Sequence, residues 1–240
     1  MKDEVLQEDF LLRLAADGCG LLANVIGGLE LLALQDHAAK LLADSGKEKT
    51  AGLRNLLADD PALIGFARSS PAAKIAATIL GYAARPVRII LFDKSEQANW
   101  SVPWHQDVNI AVTGKTERDD YGPWTTKEGV QHVVPPVAVL ERMITLRLHL
   151  DECGTDNGPL RIAPGSHCLG IVRGSAARSQ DFEKNAREML ADAGDVIAMR
   201  PLVFHSSQKA SSAQRRRVLH IEYAAGSLAE GLSWFFTGQS

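Results

Sequence analysis

Apolar positions recur along this chain at two different periods, and the change falls near residue 85. Before it the spacing is helical. Leu6, Phe10, Leu11 and Leu14 share one face of a segment over residues 5–17, which Asp17-Gly18 ends. Leu31, Leu34, Ala38, Leu41 and Leu42 line a second helix that closes near Gly46. Asp60-Pro61 and Ser70-Pro71 each place a capping side chain ahead of a first-turn proline, and Gly81 terminates the helix that Ser70 opens. Between the first two helices, Cys19 to Ile26 is a short apolar run that a strand can use. From Pro86 the period becomes two. Val87 to Phe92 reads as a strand, followed by a polar turn from Asp93 to Asn99. Met143 to Asp151 alternates strictly, with Ile144, Leu146, Leu148 and Leu150 on one face and Thr145, Arg147, His149 and Asp151 on the other. Further strands are predicted at Leu160–Ala163, Asp195–Met199, Val203–Ser206 and Arg216–Tyr223, with a helix between Gln180 and Ala191. Residues 114–139, rich in Gly, Pro, Thr and charge, read as a long irregular excursion of the kind that serves as a lid or binding loop. Many short strands after a helical start predict a mostly β, α+β chain: a sandwich or jelly roll with helices on one outer face.

Length and composition fit this picture without adding a second unit. With 240 residues, 45% hydrophobic, one sizeable core suffices, and we expect a single domain over 1–240. Its parts are a mainly helical layer over 1–84 and a β core over 85–225 that carries the 114–139 insertion. A net charge of −3 without a basic stripe gives no footing for nucleic acid, since Arg215-Arg216-Arg217 is too short to track phosphates. The acidic N-terminus lacks the layout of a signal peptide, and no apolar run approaches the roughly 20 residues of a membrane span. Cys19, Cys153 and Cys168 are odd in number and far apart, which predicts reduced thiols and a cytoplasmic protein. Oligomeric state is not readable.

The candidate chemistry begins with Trp104-His105-Gln106-Asp107. A histidine and a carboxylate two residues apart in extended chain point the same way, so both can grip one metal ion. A two-histidine, one-carboxylate site needs another imidazole and leaves positions open for substrate and oxygen. His149-Leu150-Asp151 has the same spacing, and the motif alone does not choose between the two pairs. Among the other histidines, His37 reads as a helix surface residue, His132 belongs to the excursion, His167 to a loop, and His220 alternates within the last strand. His205 lies in an apolar strand and, taken alone, reads more readily as a hydrogen-bonded core imidazole than as a ligand.

Together, His105-Gln-Asp107, Asn157-Gly-Pro-Leu-Arg-Ile-Ala-Pro-Gly-Ser-His167, Gly194-Asp195 leading into Phe204-His205-Ser-Ser207, and Arg216 eleven residues after His205 resemble the phytanoyl-CoA dioxygenase family over roughly residues 85–225. The resemblance implies a double-stranded β-helix, cupin-like in architecture, and an iron(II)- and 2-oxoglutarate-dependent oxygenase that hydroxylates a small metabolite with O2 as second cosubstrate. It implies His105, Asp107 and His205 as metal ligands, Arg216 on the far carboxylate of 2-oxoglutarate, and Ser207 as its companion. A buried carboxylate needs a fixed cation, and a guanidinium offers a planar fork for it. Arg147 contacts 2-oxoglutarate or an anionic substrate if the apolar face of its strand packs under the helices; otherwise it faces water. Lys94 is expected at the surface, and Trp104 and Trp124 are candidates to flank the opening. Asp107 argues against halogenation, in which halide occupies the place of the carboxylate. A cupin-type metalloenzyme that uses no 2-oxoglutarate and a non-catalytic ligand-binding relative are the alternatives.

Overall fold

The structure, a computed structural model, describes residues 2–46, 52–81, 83–174, 181–212 and 214–236, with side chains from residue 8 onward. The helical opening forms as the spacing predicts. α1 spans Lys2–Asp17 and ends where Gly18, at φ +77, returns its N–H to the Leu14 carbonyl. Phe10 and Leu14 are its buried anchors, while the side chain of Leu6 lies outside the described residues. After β1 (Cys19–Leu22) come α2 (Gly28–Asp44), β2 (Gly52–Leu53), α3 (Leu56–Asp59), α4 (Pro61–Ser69) and α5 (Pro71–Leu80). Asp60 caps α4 by accepting from the Leu63 N–H at 2.9 Å. Ser70 does not do the same for α5: it is extended and its hydroxyl is buried without a partner, so the proline alone marks that start. His37 is half-buried rather than a surface residue, because its Nε2 meets Asp60 at 2.7 Å.

The β elements are β3 (Arg85–Lys94), β4 (Val102–His105), β5 (Ile110–Val112), β6 (Trp124–Lys127), β7 (Val130–Val133), β8 (Met143–His149), β9 (Leu160–Ile162), β10 (Arg187–Met189), β11 (Val196–Met199), β12 (His205–Ser207) and β13 (Arg216–Ala224), with a short α6 (Val137–Leu140). They form a six-stranded sheet in the order β1-β11-β8-β13-β3-β2, a four-stranded sheet β10-β9-β12-β4, and a three-stranded sheet β5-β7-β6. All named pairings are antiparallel. The strands contributed by the helical region, β1 and β2, are the two edges of the large sheet.

Two expectations need correction. Residues 114–139 are irregular only in part: 114–123 hold turns and bends, but β6 and β7 then make a hairpin whose turn, Glu128-Gly129, carries φ of 48 and 80 at its two positions. The stretch predicted as a helix before Ala191 holds turns and then β10, paired with β9 from Arg187↔Ile162 to Met189↔Leu160; Gln180 itself lies outside the described residues.

The large sheet separates two environments. Its outer face, with Ile89, Leu91, Ile144, Leu146, Leu148, Val196, Ala198, Leu219 and Ile221, joins Phe10, Leu14, Leu57, Leu63 and Ala76 in one core under the helices. The Tyr223 hydroxyl donates to the Ala67 carbonyl at 2.9 Å and Gln35 Nε2 to the Leu150 carbonyl at 2.6 Å, pinning helices to strands. Because side chains alternate, Arg88, Ile90, Phe92, Thr145, Arg147, His149, Arg216, Val218 and His220 project the other way, toward the four-stranded sheet. No described helix is long and apolar enough to cross a membrane. Cys19, Cys153 and Cys168 are free thiols.

Candidate metal and cosubstrate site

β4 and β12 lie side by side with His105 directly opposite His205, their rings 4.1 Å apart. The chain leaves β4 after His105, and the Asp107 N–H donates to the Pro201 carbonyl at 2.9 Å, which turns the carboxylate back onto both imidazoles. Asp107 Oδ1 lies 3.7 Å from His105 Nε2 and Oδ2 lies 3.5 Å from His205 Nε2. Among the described residues this is the group of His, Cys, Asp and Glu side chains whose ligand atoms converge, all within 4.8 Å of one another. Gln106, between His105 and Asp107, points away and braces the segment. Its Nε2 donates to the carbonyls of Gly170 at 2.8 Å and Leu202 at 2.7 Å, and its Oε1 accepts from the Val172 N–H at 3.0 Å.

The protonation states suit a metal. His105 Nδ1 faces the Pro103 carbonyl at 2.9 Å and His205 Nδ1 faces the Val203 carbonyl at 3.0 Å. A carbonyl only accepts, so each ring carries a proton on Nδ1 and turns Nε2 toward Asp107. Burial lowers His205 to about 4 against the opposing pull of Asp107. Burial pushes the Asp107 carboxyl up, but His205, His220, His105 and Arg88 outweigh it and hold the group below the usual carboxylate range. Neutral imidazoles and an ionised carboxylate are the forms a divalent ion binds.

The rival pair comes apart. His149 points into the barrel and is 1% exposed, with neither ring nitrogen hydrogen-bonded. Asp151 lies outside the barrel and is held by Arg217, which donates from Nε at 2.9 Å and Nη2 at 2.7 Å. Alternation along the last strand likewise scatters the three consecutive arginines. Arg215 pairs with Asp93 at 2.7 and 2.8 Å, Arg217 with Asp151, and Arg216 turns inward.

A cavity of about 310 Å³ opens over the His105–Asp107–His205 group, and Arg147, Ser207 and Arg216 line it as well. Arg216 is 4% exposed and donates Nη1 to the Gly158 carbonyl, with Cys153 Sγ at 3.6 Å and no carboxylate; its Nε is buried without a partner. Arg147, 8% exposed, also has an unpartnered Nε, and its Nη1 donates to His220 Nδ1 at 3.0 Å. That bond leaves the His220 proton on Nε2, directed at Glu222 at 3.3 Å, and Glu222 in turn pairs with Arg88. The helices cover the apolar face of β8, so Arg147 faces the cavity. Lys94 is not at the surface: it is 1% exposed, donating to Ser207 Oγ at 3.0 Å and the Gln208 carbonyl at 2.5 Å. Burial and the neighbouring Arg216 lower it to about 8.

Neither Trp104 nor Trp124 lines the cavity. Trp104 packs on Phe182 and donates to Glu183 at 2.8 Å, while Trp124 rests in the cluster around the three-stranded sheet. The sequence reading missed Trp100, Arg54, Arg88, Lys127 and His220, all of which line it. The inward phase shared by Arg88, Phe92 and Lys94 marked part of this set in advance; nothing local marked Arg54 or Trp100.

The model of the phytanoyl-CoA dioxygenase family (PhyH) matches residues 38–218. The chain belongs to that family. A curated relative, the L-proline trans-4-hydroxylase of Streptomyces griseoviridis, is 30% identical over 154 residues, which are 53% of this chain and 49% of that protein. The chain therefore matches about half the length of this curated relative. Solved structures agree in fold. EctD from S. alaskensis superposes with a TM-score of 0.71 at 19% identity, covering 96% of this chain and 80% of that one. The epimerase SnoN, in complex with Fe3+, alpha ketoglutarate and nogalamycin RO, gives 0.72 at 17%, covering 94% and 86%. The fold is thus the jelly roll of this family.

Proposed function

We propose that the protein is an iron(II)- and 2-oxoglutarate-dependent oxygenase that hydroxylates a small molecule. The observation that carries this is the convergence of His105, Asp107 and His205 at the mouth of a cavity whose wall holds buried, uncompensated arginines. The donor set suits iron: two neutral imidazoles and one carboxylate bind on one side and leave the other open. His105, Asp107 and His205 would hold the ion, with Asp107 bridging the two histidines in charge and position. Arg216 supplies the fork for the far carboxylate of 2-oxoglutarate, and its unpartnered Nε is the donor that a bound carboxylate satisfies. Ser207, kept in place by Lys94, offers a hydroxyl beside it. Arg147 adds a second fixed cation, held through His220 and Glu222. Iron with 2-oxoglutarate and O2 supplies the power to remove hydrogen from an unactivated C–H bond, releasing succinate and CO2. Ile90, Phe92, Trp100, Val102 and Leu160 keep the cavity wall dry around that bond. The relative that hydroxylates L-proline supports hydroxylation of a substrate of similar size.

Anaerobic titration of the protein with iron(II) and 2-oxoglutarate tests this reading. The weak visible charge-transfer band of the chelate is expected, and succinate should form under air. Absence of both would refute it.

A further inference from the structure

We infer that the primary substrate is itself an anion, a small carboxylate or phosphate ester whose charged group is received at the cavity mouth by Arg54 and Lys127. The inference rests on the cofactor reading above and adds to it the class of molecule that fills the remaining space.

Five cations line the cavity, Arg54, Arg88, Arg147, Lys127 and Arg216, from five separate parts of the chain. Asp107 is the one acid among the lining residues, and Glu222, behind them, is taken by Arg88. The positive surplus survives the proposed cofactors, because the two charges of iron(II) cancel the two of 2-oxoglutarate. Arg216 and Arg147 serve that dianion from the inside. Arg54, just after β2, and Lys127, at the end of β6, are left at the exposed rim.

Exposed cations usually carry no message, since most are solvated or weakly paired. These two are set apart by place, since both line one cavity, and several other arginines differ from them in company. Arg161, Arg187, Arg215 and Arg217 each sit on a carboxylate: Glu183, Asp17, Asp93 and Asp151. Arg54 and Lys127 share a cavity with no acid of their own among the described residues. Lys127 is pushed below its ordinary value by partial burial and then by Arg88 and Arg54. Like charges gathered around one concavity focus a positive potential into it and select an anionic ligand. The cavity of about 310 Å³ must hold both molecules, which keeps the substrate near the size of an amino acid, hydroxy acid or small phosphate monoester.

The test uses the anaerobic protein loaded with iron(II) and 2-oxoglutarate. The charge-transfer band of the wild type reports the cofactor reading by itself, so its absence would fail that reading and leave no complex to probe. With the band present, matched probes are titrated: acetate against acetamide, a hydroxy acid against its amide, and glycerol phosphate against glycerol. Perturbation of the band and the rise in Tm are followed together. At least one anion should bind at millimolar concentration or below, with its neutral partner at least tenfold weaker. Lys127→Gln and Arg54→Gln should each weaken that anion about tenfold, and Lys127→Arg should restore it. Neutral probes binding as well as their anions, indifference of the bound anion to both glutamine variants, or no binding by any anion would each overturn the inference.

Discussion

Replacing Arg216 with methionine separates two roles that a buried arginine can have. If the guanidinium were a structural strut, its removal would unfold the protein. The structure argues otherwise. Arg216 is 4% exposed, yet it meets a carbonyl and a thiol rather than a carboxylate, and Lys94 and Arg147 lie close enough to repel it. The Gly158 carbonyl that it serves keeps a second donor, Ser207 Oγ at 3.3 Å. Exchanging an uncompensated buried charge for a flexible apolar side chain of similar length should therefore change the stability of the metal-free protein by no more than about 1 kcal/mol, in either direction. Binding of 2-oxoglutarate should suffer far more. Losing one partner of a buried, forked charge pair costs about 2–5 kcal/mol, which corresponds to weakening on the order of tens- to thousands-fold. Chemical denaturation of the metal-free variant gives the first quantity, and anaerobic titration of the charge-transfer band gives the second. A variant that loses several kcal/mol of stability while keeping its affinity for 2-oxoglutarate would refute the assignment.

Other expectations are equally direct. His149 is buried with burial, Arg147 and Arg216 lowering it to about 3, so the unfolded chain binds a proton that the native state does not between roughly pH 6.5 and 3. Above that window the ring is neutral in both states and its titration leaves stability unchanged, stability falls by about 1.4 kcal/mol per pH unit as the pH drops through it, and His149→Leu should flatten the slope of denaturation midpoints by about that amount. Gly158→Ala places a Cβ 2.5 Å from the Gln208 carbonyl at a φ of +58, and should destabilise by about 1–3 kcal/mol or more in thermal melts. Gln106→Ala removes the brace between the two ligands and should weaken iron(II) about tenfold in an anaerobic titration, with the far-ultraviolet spectrum unchanged. His205→Gln should abolish the iron(II)–2-oxoglutarate band altogether while the protein stays folded.

The strands that declared themselves in the sequence are those that separate a dry face from a polar one. β8 alternates without a break because helices cover Ile144, Leu146 and Leu148, while Arg147 faces the cavity and His149 is buried on that same inner side. β10 carries no such signature: Arg187, Glu188 and Met189 are strand because β9 lies beside them, and a propensity reading has no access to that neighbour. The β6–β7 hairpin was hidden for a local reason, since its turn is Glu128-Gly129 rather than the usual Asn-Gly or Asp-Gly. Lys94 was misplaced because a charged residue at a strand end is commonly solvated, although the phase it shares with Arg88 and Phe92 pointed inward. The metal candidates were legible only as a set. No spacing rule prefers His105-Gln-Asp107 to His149-Leu-Asp151; what divides them is Arg217, which claims Asp151, and the antiparallel pairing that sets His205 opposite His105.

β3 has one further consequence, for how such a protein can change over generations. Ile89 and Leu91 belong to the core beneath the helices, while Arg88, Ile90 and Phe92 belong to the cavity wall, so one strand answers to two separate selective pressures at alternate positions. Substitutions at the inward positions can alter the shape and charge of the cavity without opening a void under the helices. The reverse holds for the outward ones. A scaffold divided this way lets lineages change the cavity without disturbing the core under the helices, and the two-residue period of a strand is what makes that independence possible.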